Sequence, residues 1–331
     1  MTAATIRGVT PAPPPRYPLI EEPSPFHRLP RFSEALGGRV DVWAKREDLI
    51  PLAFGGNKLR NLEYLIGAAL AEGADTLVTS GRRWSNHCRL TAAAGTRAGL
   101  DVHLVLSGPP RLPPGPGQRL MGLFGATVFV TETVERAERE ALVDEVVARV
   151  RSAGRRPYVI GVGGSGPLGA YGQVEAAREL AAQCREAGID PAAIVVPSAT
   201  GGTQAGLITG LQVAGAASHV LGIAVSRPPD ELRAAIAATM SGLAEMMSAT
   251  VDPADIDIDG GQLGAGYGVP TEAASEAAVL LARTEAILVD PIYTAKGLAG
   301  LAAHVLSGEW DGRSVVFWHA GGTPGIFEPL D

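Results

Sequence analysis

Cysteine is nearly absent: Cys88 and Cys184 are the only two in 331 residues. That excludes a disulfide framework and makes a reducing cytoplasm the compartment to expect. Positive charge is also short. The chain carries 28 Lys and Arg against 35 Asp and Glu, a net charge of −7, and its basic residues are scattered. A nucleic-acid binder needs a basic excess or a basic stripe, so no nucleic-acid partner is expected. Charged residues make up 19% of the chain and hydrophobic ones 46%, which excludes a disordered or fibrous chain and suits a well-buried core. From Pro197 to Ser226 there is no Asp, Glu, Lys or Arg at all. A stretch of that length invites a membrane span. Glycines punctuate it, however, and Thr200, Thr203, Gln204, Gln212, Ser218 and His219 interrupt it. It reads as a loop, a buried helix and a buried strand, and no membrane partner is expected. The Pro-rich opening, Met1 to Pro25, lacks the apolar centre of a signal peptide.

What is present is an alternation. Short β-rich runs occur at Val40–Ala44, Thr76–Ser80, Val102–Leu106, Thr127–Val130, Tyr158–Ile160, Ile194–Val196, Val220–Val225 and Ser314–Trp318. Helical patterns lie between them, among them Asn57–Ala71, Asn86–Ala98, Glu135–Arg151, Gly169–Glu186 and Thr271–Thr284. In the first helix Leu59, Leu62, Ile66, Ala69 and Leu70 approximate one apolar face. Strands alternating with helices of this length imply an α/β fold, with parallel sheets covered on both faces. Ligands on such sheets sit at the carboxyl ends of the strands, where loops meet helix N-termini. The length suits roughly two domains. The two Pro-rich segments, Pro11–Pro15 and Pro109–Gly117, read as an extended arm and a strand-to-helix connection.

Three strand-to-helix loops carry candidate chemistry. In Phe54-Gly55-Gly56-Asn57-Lys58 a lysine falls at the opening of a helix. Cations are disfavoured there by the helix dipole, which favours a neutral amine; a solvated surface lysine is the alternative. In Ser80-Gly81-Arg82-Arg83-Trp84-Ser85-Asn86-His87, Ser85 is either a simple N-cap or a hydroxyl in a ligand cleft. In Ser198-Ala199-Thr200-Gly201-Gly202-Thr203, glycine amides, two hydroxyls and a helix N-terminus would hold a phosphate. The Gly-Lys-Ser/Thr ending of a nucleotide loop is missing, which argues against ATP. Gly161, Gly163 and Gly166 match the dinucleotide spacing, but no acidic residue ends the next strand. Near the C-terminus, Tyr267 between two glycines suits a loop facing a cleft, whereas Tyr293 is equally a packing residue. No metal site is expected.

In this order the segments resemble the D-cysteine desulfhydrase and 1-aminocyclopropane-1-carboxylate (ACC) deaminase family, from about Lys45 to Phe327. The resemblance implies pyridoxal 5'-phosphate as cofactor and two open twisted, mostly parallel sheets flanked by helices, the tryptophan-synthase-β-like fold-type II architecture. It implies a larger cofactor-binding domain of residues 1–57 plus 166–331, a smaller one of 58–165, a cleft site between them, and a homodimer. By the same resemblance Lys58 is the Schiff-base lysine that later moves the α-proton. Asn86 bonds the cofactor's phenolic oxygen, and Thr200, Gly201, Gly202 and Thr203 form the phosphate cup. Ser85 lies near the substrate carboxylate, and Tyr267 and Tyr293 are the active-site tyrosines. Thr294 stands where ACC deaminases have a glutamate against the pyridine nitrogen and D-cysteine desulfhydrases have threonine. A hydroxyl cannot stabilise a pyridinium as a carboxylate does, so the implied reaction is α,β-elimination from a small amino acid, with ACC deamination, cysteate sulfo-lysis and cofactor binding without turnover as alternatives. The chain departs from the family at Arg82-Arg83-Trp84, where small residues and glutamine are usual, at His319-Ala320, and at Ser165-Gly166. Arg82, Arg83, Trp84, His87 and His319 are therefore candidate substrate-pocket residues, and the arginines suggest a second anionic group on the substrate.

Overall fold

The computed structural model describes residues 12–108 and 113–328; residues 109–112 of the Pro109–Gly117 connection lie outside them. In chain order the elements are β1 (Phe26–Arg28), α1 (Pro30–Ala35), β2 (Asp41–Arg46), α2 (Lys58–Ala71), β3 (Thr76–Arg82), α3 (Asn86–Arg97) and β4 (Asp101–Ser107). There follow α4 (Pro116–Leu123), β5 (Thr127–Thr131), α5 (Arg136–Ser152), β6 (Pro157–Val159), α6 (Pro167–Ala187), β7 (Ala193–Ser198) and α7 (Gly202–Ala214). The chain continues with β8 (His219–Ala224), α8 (Pro229–Met247), β9 (Asp257–Asp259), α9 (Glu272–Glu285), α10 (Thr294–Ser307) and β10 (Ser314–His319). Every strand expected from the sequence is there. The charge-free stretch is indeed the end of one strand, a buried helix and a second strand, and among the described residues no helix is long and apolar enough to cross a membrane.

The strands form two sheets, in the orders β1-β2-β10-β7-β8-β9 and β5-β4-β3-β6. All pairings are parallel except β1 with β2. Both sheets are buried on two faces. In the larger one, Val195 and Phe317 face one core while Ile194, Val196 and Trp318 face another. In the smaller one, Leu77 and Leu104 join the core under α2 and α3, and Val78 and Val105 meet Val146, Val147 and Val150 of α5. Near-continuous apolar runs, whose successive side chains point to opposite faces of the sheet, produce this two-sided burial.

A buried ionic cluster ties α2 to the larger sheet. Arg60 donates to Glu47 at 2.6 and 2.8 Å and to Glu179 at 2.8 and 2.9 Å. Lys45, itself fully buried, donates to Glu179, to Gln183 and to the Ser24 carbonyl. Two cations and two carboxylates thus balance in the interior, the arrangement that makes buried charge tolerable. Gly172 of α6 lies flush against the Arg60 backbone, where any Cβ would collide with the carbonyl. These contacts fix the first turn of α2, which begins at Lys58.

Candidate active site

The carboxyl ends of β2, β3, β7, β8 and β10 open onto one cavity of about 590 Å³, within the size range of small-molecule sites. The loop after β2 enters it through consecutive left-handed residues, Ala53, Phe54, Gly55 and Gly56. Its amides are tied down, with Gly56 N–H donating to the Glu47 carbonyl and Asn57 N–H to that of Ala320. Lys58 follows as the first residue of α2 and lines the cavity. Its amine makes no hydrogen bond or ion pair among the described residues. Burial lowers its pKa from 10.5 to about 8, so desolvation, rather than the helix dipole expected from the sequence, is the cause. The cofactor-free protein should therefore take up an aldehyde cofactor at a rate that rises about tenfold per pH unit and levels off near pH 8, because only the neutral amine attacks. Stopped-flow absorbance across pH 6 to 10 reads this directly. A midpoint at the ordinary lysine value would count against the assignment.

Ser85 caps α3, its hydroxyl accepting from Cys88 N–H at 3.2 Å, and it also lines the cavity. Asn86 and His87 stand beside it on the wall. Thr79 gives its proton to the Ile160 carbonyl at 2.8 Å, so His87 Nε2 is the donor in its 3.0 Å bond to Thr79. Burial and the nearby Lys58 lower the His87 pKa to about 3, leaving the ring neutral. Arg82 lines the cavity. Two neighbours do not. Arg83 turns away and donates to the Gly108 carbonyl at 2.7 and 2.9 Å, because it lies one residue past the end of β3. Trp84 packs beside Tyr267, ring centroids 6.1 Å apart, and over Gly268.

The β7–α7 loop forms the opposite feature. Gly201 adopts φ +90°, and α7 starts with no side-chain cap, so its first amides are free for a ligand. Thr200, Gly201 and Thr203 line the cavity. Gly202 lies behind them, where a Cβ would sit 2.8 Å from Ser165 Cα; its contribution is close approach and a backbone amide. The Gly161–Gly166 loop buttresses this one through the Ser165 and Thr200 hydroxyls, which are hydrogen-bonded.

Tyr267 and Tyr293 share a hydrogen bond between their hydroxyls and both line the cavity. Burial raises both phenols, Tyr293 the more strongly, so both keep their protons. One proton serves the mutual bond and the other remains free for a ligand. Thr294 opens α10 and lines the wall, its hydroxyl donating to the Asp290 carboxylate. Asp290 also accepts from the amides of Ile292 and Tyr293 at 3.0 and 2.8 Å and from that of Thr294. His319 is not on the wall. It is fully buried, donates from Nε2 to the Leu288 carbonyl at 2.8 Å and accepts Gly321 N–H at Nδ1. It therefore positions the Ala320–Gly321 backbone, which does line the cavity.

Residues 18–321 match the family model described as "Pyridoxal-phosphate dependent enzyme". The chain belongs to this family. D-cysteine desulfhydrase of Salmonella newport (strain SL254) is 39% identical over 319 residues, covering 95% of both chains. That of Salmonella typhi is 38% identical over the same length. A crystallised ACC deaminase homologue superposes with a TM-score of 0.88 at 34% identity, over 95% of this chain and 94% of that one. A fungal L-serine ammonia-lyase from Rhizomucor miehei shares the fold, with a TM-score of 0.67 at 18% identity over 91% and 94%. The architecture is thus that of the fold-type II pyridoxal-phosphate enzymes. Pyridoxal phosphate is the cofactor, and the site fits it: an amine without a partner, an uncapped helix N-terminus with its glycine cradle, and the buried Ser198 hydroxyl, which has no partner of its own. Sequence reasoning missed Asp290 and Arg139 on the cavity wall of this pyridoxal-phosphate enzyme. Asp-Pro shortly before a helix is a capping signal that could have found the first.

Proposed function

We propose that this lyase catalyses α,β-elimination from a small β-substituted amino acid, D-cysteine or a close analogue, giving pyruvate and ammonia. The observation that carries the reading is Thr294, a hydroxyl bonded to Asp290 at the position where the resemblance gives ACC deaminases a carboxylate. Pyridoxal phosphate, when bound, supplies an electron sink for the charge left at the substrate α-carbon. A weaker sink suits a reaction in which a leaving group removes the electrons.

The chain's own residues then take these parts. Lys58 holds the cofactor and moves the α-proton, its depressed pKa keeping much of it neutral near pH 8. The free amides from Gly201 onward, with the Thr200 and Thr203 hydroxyls, bind the phosphate. Asn86 reaches the phenolic oxygen, and the α3 N-terminus at Ser85 takes the substrate carboxylate. The coupled phenols of Tyr267 and Tyr293 offer one proton to the departing group. Residues 58–165 form the smaller domain and the remainder the larger one, and the protein is a cytoplasmic homodimer.

The test is a product assay with D-cysteine, L-cysteine and ACC offered to the holoenzyme in turn. Pyruvate from a β-substituted amino acid is the expected result. 2-Oxobutyrate from ACC would overturn the role given to Thr294, and no product from any β-substituted amino acid would overturn the elimination itself.

A further inference from the structure

We propose that Arg82 and Arg139 form a second anion subsite in the cavity, one that receives a β-substituent carrying a full negative charge, such as a sulfonate or a phosphate ester. The inference rests on the elimination reading and names the substrate class for it.

The two arginines are brought together by simple periodicities. Arg82 ends β3 on the face of Val78 and Ser80, by the strand's period of two. That face is covered by α5, whose inner stripe is Val143, Val146 and Val150. Arg139 lies one turn before Val143 on that stripe, so it points inward at the sheet's carboxyl edge. Both residues line the cavity.

Neither guanidinium is neutralised. Arg82 makes no hydrogen bond or ion pair among the described residues, and its guanidinium lies over the Tyr267 ring, 5.8 Å from the centroid. The Arg139 Nε is buried without a hydrogen-bond partner. Desolvation and then repulsion from Arg82 both lower the Arg139 pKa. The other charges on the wall do not resolve this: Glu140 attracts Arg139 at a distance but is paired with Arg136, Asp290 is bonded inward to Thr294, and among the described residues Glu135 and Glu231 make no hydrogen bond or ion pair with either arginine. Two adjacent unpaired guanidinium groups are costly unless a ligand brings the counter-charge, and their forked donors match a tetrahedral or planar oxyanion. Tyr267 links this subsite to the chemistry, since Arg82 lies over the ring whose hydroxyl bonds Tyr293.

In the reaction the α-proton passes to the Lys58 amine. The bond from the β-carbon to the substituent breaks with both electrons going to the substituent, which leaves as sulfite or phosphate. The released enamine takes up one water to give pyruvate and ammonium. The arginines hold the anion as its charge localises.

Calorimetric titration of the holoenzyme with β-sulfopropanoate and with its uncharged counterpart β-(methylsulfonyl)propanoate tests the subsite without any turnover. The sulfonate is expected to bind at least about tenfold more tightly, the scale of a charge-assisted pair, and Arg139→Met to erase most of that difference. Arg82→Met serves the same purpose if the first variant does not fold. Equal binding of the two compounds, or equal weakening of both in the variants, would overturn the subsite. Failure of the elimination reading would show separately, as absence of pyruvate from every β-substituted amino acid while the sulfonate preference persists.

Discussion

Lys58→Ala should lose the visible absorbance of the bound cofactor and lower turnover by about a thousandfold or more, the scale set by removing a group that transfers a proton in the reaction. The expectation rests on position and environment together. Lys58 opens α2 on the cavity wall, its amine has no competing partner, and burial has brought its pKa to about 8. The residue takes no part in the ionic cluster two positions further on, so the variant should melt within a degree or two of the cofactor-free parent. Absorbance spectroscopy, a pyruvate assay and a thermal melt are sufficient. A variant that keeps the visible band would show that another amine carries the cofactor. Lys296 is the next candidate, but its amine is committed to the carbonyls of Leu263 and Gly266 at 2.8 and 3.3 Å.

The largest stability effect is expected from Glu47→Ala. Glu47 is fully buried and accepts from Arg60 through both oxygens and from Ser24. Its removal leaves Lys45 and Arg60 sharing the single carboxylate of Glu179. An uncompensated buried cation costs about 3–5 kcal/mol, which for a chain of 331 residues lowers the melting temperature by about 4–7 °C. The double variant Glu47→Ala with Arg60→Met restores charge balance through Lys45 and Glu179 and should recover a large part of the loss. If the single and double variants melt alike, the cluster is not acting as a charge-balanced unit.

How far the sequence could be read follows from what kind of signal each residue leaves. The central strands were legible because burial on both faces writes continuous apolar runs, as in Ile194-Val195-Val196 and Val315-Val316-Phe317. The edge strands Phe26–Arg28 and Asp257–Asp259 were not, since three residues are too few to carry a period. Lys58, Ser85, Asn86 and the Thr200–Thr203 loop were visible because each sits in a strand-to-helix turn of distinctive composition. The Arg82-Arg83 pair could be located but not sorted: which guanidinium enters the cavity depends on β3 ending at Arg82, a boundary finer than composition reveals. Arg139 was hidden by its surroundings. The segment Glu135-Arg136-Ala137-Glu138-Arg139-Glu140 reads as a solvated helix face, and only the i, i+4, i+7, i+11 relation to Val143, Val146 and Val150 marks it as inward. His319 was misplaced for a related reason. A histidine at a strand end reads as a ligand group, but both of its nitrogens are taken up by the backbone.

The division of labour between the two sheets has a consequence for how such a protein diversifies. The phosphate loop and Thr294 belong to the six-stranded sheet and its helices, whereas Arg82 and Arg139 belong to the four-stranded sheet and the helix covering its outer face. Residues that share no partner change their energies independently. Substitutions at Arg82 and along the first turn of α5 can therefore retune which leaving group is accepted while the phosphate loop stays intact. Selectivity in this scaffold is a replaceable part, mounted on a chassis that need not be rebuilt.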